Sequence, residues 1–238
     1  MTNRQSNVIF YSIISMVIYA LIINFFYPDF FVNILKSETE VSLKEALNNK
    51  EYTQALSTYQ QLIEERINDG EENSTETAAM YEDMANLYFI LGNRSEEKKN
   101  YLKSLNIKEK LKKNDMFDFA KTYYKLGLIA EEDEQYDQAQ TYYEQSLLKR
   151  LGDAQKKDER NQGMITGMHQ TRLSYIRLNN EATIAVFKRL AEIHKVKNER
   201  VIAKKYYGKA LAASQIVFGD EAAETLAIID LMKRLTLH

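Results

Sequence analysis

The chain has 238 residues, is 45% hydrophobic and 28% charged, and carries a formal net charge of −2. One proline and eight glycines are too few turn formers for an all-β fold. Charges of both signs are interleaved, as in Glu96-Glu97-Lys98-Lys99, which gives no basic face for nucleic acid, and the absence of cysteine excludes disulfides and thiolate chemistry.

After a short tail (1–7), Val8 to Tyr27 reads VIFYSIISMVIYALIINFFY, without a charge. At a helical rise these 20 residues cover about 30 Å, the thickness of a bilayer's hydrocarbon. Ser12, Ser15 and Asn24 are polar but uncharged, and Tyr11 and Tyr27 lie near the ends, where amphipathic rings favour the interface. Pro28 stops the helix by restricting the residue before it. Large side chains at Phe25-Phe26-Tyr27 and Phe30-Phe31 stand where a signal peptidase needs small ones, so the segment is expected to be an uncleaved signal-anchor and single transmembrane helix. Arg4 precedes it, while the first basic residue after it is Lys36. The positive-inside rule then places the N-terminus in the cytoplasm and the rest outside it. The favoured site is a bacterial inner membrane, periplasmic side; an organelle membrane or a cytoplasm-facing domain is the alternative. Residues 28–40 are expected to form a juxtamembrane linker.

From Val41 onward the chain repeats. Tyr52-x-x-Ala55-x-x-x-Tyr59-x-x-Leu62-Ile63 matches Tyr136-x-x-Ala139-x-x-x-Tyr143-x-x-Ser146-Leu147 and Ala203-x-x-x-Tyr207-x-x-Ala210-Leu211. Glu97-x-x-x-Tyr101-x-x-Ser104-Leu105 is a weaker copy. Positions 55, 97 and 139 are 42 residues apart, and 203 follows after 64, the period plus an insertion of 22. Leading helices precede the copies at Met84-Ala85-x-x-Tyr88, Leu126-Gly127-x-x-Ala130 and Leu190-Ala191-x-x-His194, with only a short one around Val41 to Leu47 in the first. Turns follow at Gly92-Asn93, Asp133-Glu134-Gln135 and Lys197-Asn198. Helical apolar spacing with small residues at Ala85, Gly127, Ala191, Ala139 and Ala203 describes helices that approach closely. Tyr59, Tyr101, Tyr143 and Tyr207 are expected to fill the space between hairpins, which must stack because none buries its apolar face alone.

These motifs resemble the tetratricopeptide repeat family, and the 42-residue period is similar to its kinesin-light-chain variety. The resemblance implies an all-α fold: a TPR-like α-solenoid of about 3.5 helical hairpins plus a capping helix, behind the transmembrane segment. The hairpins fall at about 41–68, 77–113, 117–151 and 183–218, with the capping helix at 220–235. The inserted segment 153–180 begins with Gln155 to Arg160, an exposed helix end or linker, and continues with Met164, Met168, Arg172, Leu173 and Ile176 at helical spacing. It is either an extra helix before the last hairpin or an extension of that hairpin's first helix.

No catalytic pattern interrupts this scaffold. There is no H-E-x-x-H, phosphate loop or nucleophile elbow, and glycine is too sparse for a dinucleotide fingerprint. His194 falls at a packing position and His169 has no acidic or histidine partner one turn on. The run Glu131-Glu132-Asp133-Glu134 diverges around a helix and does not form an acid/base pair. No enzymatic activity, cofactor, metal or small-molecule substrate is expected.

What the resemblance implies instead is protein recognition by a groove lined by the first helices. Counting from the repeat, the groove residues are Glu82, Asn86, Phe89, Tyr124, Leu128, Glu131, Lys188, Glu192 and Lys195. Their mixed chemistry suits a peptide, helix or complex subunit. Some family members clamp a C-terminal carboxylate with Asn, Lys and Arg. Asn86, Lys188 and Arg189 are present here, but Lys125 stands where a second asparagine is expected. The expected role is an adaptor or assembly factor at a membrane complex, with a permanent structural subunit as the alternative.

Overall fold

The computed structural model describes residues 30–111, 119–160 and 180–237. The expected membrane span Val8–Tyr27 lies outside these residues. Among those described, no helix is long and apolar enough to cross a membrane. Every regular element among them is an α-helix: α1 Phe30–Asn48, α2 Tyr52–Asn68, α3 Thr75–Ile90, α4 Arg94–Leu111, α5 Phe119–Glu132, α6 Tyr136–Arg160, α7 Glu181–Val196, α8 Arg200–Phe218 and α9 Ala223–Leu237. They divide into two units, one ending at Glu72 and one beginning at Asn73.

The first unit contains the α1–α2 hairpin. Its leading helix is longer than the Val41–Leu47 pattern indicates, and the expected linker is helical from Phe30. Neither glycine nor proline occurs between Phe30 and Asn48, so nothing interrupts the helix. Ala46, Ala55, Leu56, Tyr59, Leu62 and Ile63 are buried.

The second unit stacks three hairpins, α3–α4, α5–α6 and α7–α8, and closes with α9. Its three repeated tyrosines, Tyr101, Tyr143 and Tyr207, each sit where their own hairpin meets the next helix. Tyr101 clusters with Ala85, Phe119 and Leu126. Tyr143 packs with Ala130, Val186 and Leu190, and Tyr207 with Ala191, Ala203 and Ile228. The small residues act as expected, and Gly127 is the extreme case: a Cβ there would lie 2.5 Å from Tyr143 Cε1.

All four hairpin turns are built alike. Lys50, Gly92, Glu134 and Asn198 hold positive φ of 60°, 71°, 58° and 60°. The next residue's N–H then donates to a carbonyl five residues back: Glu51 to Ala46, Asn93 to Tyr88, Gln135 to Ala130 and Glu199 to His194, at 2.7–2.9 Å. This is the Schellman arrangement, which satisfies carbonyls a helix end leaves open.

Three further features go beyond the sequence pattern. Glu97, in a small-residue position, is buried, and its Oε2 accepts from Arg94 Nη1 at 2.6 Å. The inserted segment lengthens neither α7 nor its hairpin: Asn180 caps α7, accepting the Thr183 N–H at 2.9 Å. Instead α6 runs on through Gln155 to Arg160, while 161–179, including His169, lie outside the described residues. Finally, α9 begins at Ala223, 42 residues after α7 begins at Glu181, but Lys233 stands at the small-residue position that Ala191 fills in α7. Lys233 is exposed, while Ile228 and Leu235 bury α9 against α8, and Thr225 Oγ1 donates to the Gly219 carbonyl at 2.8 Å.

Candidate partner-binding groove

The period places the nine groove positions in three levels along α3, α5 and α7. The levels are Glu82, Tyr124 and Lys188; Asn86, Leu128 and Glu192; and Phe89, Glu131 and Lys195. Two contacts show these leading helices side by side. Lys125 Nζ of α5 lies 5.6 Å from the centre of the Phe89 ring of α3, and Arg189 Nη1 of α7 lies 3.3 Å from Glu131 Oε1 of α5.

Most polar groove positions are engaged by the chain itself. Glu82 Oε1 takes Lys108 Nζ at 2.5 Å and also accepts from the Thr122 hydroxyl. Lys108 reaches Thr122 as well, at 3.0 Å, so a buried lysine pins α3, α4 and α5 together. Such a charge is tolerated in a core only because its partners surround it. Asn86 Oδ1 accepts the Tyr101 hydroxyl at 2.7 Å, and Glu131 Oε2 accepts that of Tyr143 at 2.6 Å. Glu192 accepts the Tyr207 hydroxyl and holds Lys195 Nζ at 3.1 Å. Burial first, and the neighbouring carboxylates second, push all three tyrosines well above their ordinary acidity range. Tyr123 is raised to about 12 by burial and by Glu109.

The remaining positions differ. Tyr124 is half-buried with its ring 5.7 Å from that of Tyr143, and Leu128 packs into the core around Tyr143. Lys188 is half-buried, Lys195 is exposed, and Phe89 is 53% exposed. Arg94 lies 5.7 Å from the Phe89 ring, so two cations flank it. A carboxylate clamp is not assembled: Asn86 is bonded to Tyr101, Arg189 to Glu131, and Lys125 lies over Phe89.

Counting by period missed the neighbours of Phe89. Ile90 and Leu91 are exposed beside it. Three consecutive apolar residues at a helix end cannot share one face, and that was the available signal. His194 matches its expected place only in part. It is buried, its Nδ1 lies 2.5 Å from Glu199 Oε2 and its ring stacks on Tyr206 at 5.4 Å, but Nε2 has no hydrogen-bond partner. Among the described residues no group of three or more His, Cys, Asp or Glu could hold a metal ion.

Two solved structures of kinesin-light-chain TPR-like repeats from Podosopora anserina match 85% of this chain and 85% of theirs, at 14% identity, with TM-scores of 0.58 and 0.57. The fold is a TPR-like solenoid. BtubC (BKLC) from P. vanneervenii matches 84% of this chain and 66% of its own, at 17% identity and a TM-score of 0.52. No family model matches the chain, and no curated protein does. The likeness therefore extends to architecture, and these identities carry no substrate or partner across.

Proposed function

We propose that this protein is a non-catalytic scaffold that binds other proteins through the α3–α5–α7 groove and is tethered to a membrane by Val8–Tyr27. The repeat fold is one generally used for protein recognition. Phe89 carries the reading: an aromatic ring more than half exposed, with Lys125 and Arg94 beside it, at the groove's third level. Exposed rings of this kind act as anchors when a partner desolvates them. The groove's carboxylates are held by its own tyrosines and cations, Lys195 among them, which leaves Phe89 and Lys188 as its presented chemistry. The uncharged run and the position of Arg4 support a cytoplasmic N-terminus with the repeats outside the cytoplasm, the periplasmic face of a bacterial inner membrane being favoured. The role is that of an adaptor or assembly factor.

Leu148, 58% exposed on α6, and Leu102 on α4 favour a second reading, a permanent structural subunit packed on the outer helices. Quantitative crosslinking of the full chain in its membrane separates the two. On the groove reading Phe89→Asp removes the captured proteins and Leu148→Asp leaves them. Loss with Leu148→Asp alone supports the structural subunit, and capture indifferent to both defeats the groove reading. A reporter fused after His238 tests the side of the membrane.

A further inference from the structure

The three hairpin turns of the second unit differ in surface chemistry. The α3–α4 turn exposes Phe89, Ile90 and Leu91, and the α5–α6 turn is acidic, with Glu132, Asp133, Glu134 and Asp137 exposed. The α7–α8 turn is aliphatic and basic. Val196 is 58% and Val201 85% exposed, with Ile202 exposed beside them. Around them stand Lys195, Lys197, Arg200, Lys204 and Lys205.

Lys195 and Lys197 are bonded to Glu192 and Asp137, at 3.1 Å and 2.8 Å. Arg200, Lys204 and Lys205 are exposed, and α8 from Arg200 to Phe218 contains no acidic residue. Glu199, the residue before the helix, is paired with His194 Nδ1. The tip thus combines protruding branched aliphatics with cations that no carboxylate on their helix offsets.

We propose that the α7–α8 tip docks on an anionic bilayer surface, inserting Val196, Val201 and Ile202 at headgroup depth while Arg200, Lys204 and Lys205 meet lipid phosphates. Charge complementarity selects an anionic surface. Protrusion selects a deformable one, because aliphatics standing this far out need no shaped pocket, and long basic side chains reach the phosphates while their stems lie along the apolar layer. The inference goes beyond the groove reading and adds a second bilayer contact to the tether.

The chain has no cysteine, so Val201→Cys introduces a unique label site. The full chain carrying a fluorophore there is reconstituted in phosphatidylcholine vesicles with and without phosphatidylglycerol, and quenching by nitroxide-labelled lipid is read. Quenching is expected only with the anionic lipid. Reversal of the three free cations (Arg200→Glu, Lys204→Glu, Lys205→Glu) lowers contact by well over about a hundredfold, the loss that removing three charges at about fivefold each gives on its own. The milder glutamine triple is expected to weaken it less, and a label at Leu148→Cys is expected to stay unquenched. A Val201 label that stays in water with anionic lipid overturns the proposal, as does equal quenching in both vesicles or quenching that survives charge reversal. Alkaline flotation of the same samples reports the tether separately: a chain that floats with an unquenched label loses the tip contact and keeps the anchor.

Discussion

The α5–α6 and α7–α8 hairpins share one apolar frame and differ in how its polar groups are satisfied. Both bury a trailing-helix tyrosine, Tyr143 or Tyr207, against a small residue, Gly127 or Ala191. Tyr207 gives its hydroxyl to Glu192 at the middle groove level, as Tyr101 does to Asn86. In α5 that level holds Leu128, and Tyr143 instead bonds Glu131, one turn further along. Packing follows the period, whereas each hydrogen bond takes the nearest acceptor that the local residues supply. The proposed binding face inherits that irregularity, since every acceptor consumed inside is one withheld from a partner.

The most severe break of the shared frame is Tyr143→Ala or Tyr207→Ala. Each is expected to cost about 3–5 kcal/mol in denaturant unfolding, because a fully buried ring leaves a cavity between hairpins. Equal and small losses would mean that the tyrosines do not couple the repeats. Lys108→Met tests the pin between α3, α4 and α5, with an expected loss of about 2–3 kcal/mol as Glu82 and Thr122 lose their buried cation. The hairpins should separate on their small residues. Gly127→Ala is expected to cost about 1–3 kcal/mol by forcing the Tyr143 ring away, while Ala191→Gly costs only about 1 kcal/mol of helix propensity.

Removing single hydroxyls sharpens the comparison further. Tyr143→Phe and Tyr207→Phe are each expected to lose about 1–2 kcal/mol. They also carry a pH signature. The folded state raises the pKa of Tyr101, Tyr143 and Tyr207 above the ordinary value of 10.0, so their contribution is complete below that pH and is lost as pH rises above it. Each phenylalanine variant should flatten part of that alkaline decline. The smallest effect is a gain: Glu134→Gly relieves a left-handed glutamate and is expected to add about 0.5–1 kcal/mol.

Much of the frame was legible because it is repetitive. Positions 85, 127 and 191, the four tyrosines and the turns at Gly92-Asn93 and Lys197-Asn198 all follow from spacing and from residue types that favour left-handed backbone. Lys50 and Glu134 adopt the same conformation without such a signature, because the helices on either side impose it. The length of α1 escaped a reading that followed the period, since 30–40 carries no motif, while the run of α6 to Arg160 is the helix end that the charged stretch from Gln155 left open beside a linker. In the groove, counting identified the positions. It did not reveal that Glu82 pairs with Lys108 across 26 residues or that Arg94 and Lys125 converge on Phe89, contacts made only once the helices stack.

The central claim, that the leading-helix face is where this scaffold meets protein, is tested most directly by site-resolved photo-crosslinking. A benzophenone amino acid is placed at Phe89, Lys195 or Leu148 in the membrane-reconstituted full chain and irradiated in its native extract, and the adducts are mapped by mass spectrometry. Discrete protein adducts at Phe89 and Lys195, with none at Leu148, are the predicted result. Adducts confined to Leu148, with the groove positions unmodified, would contradict the account.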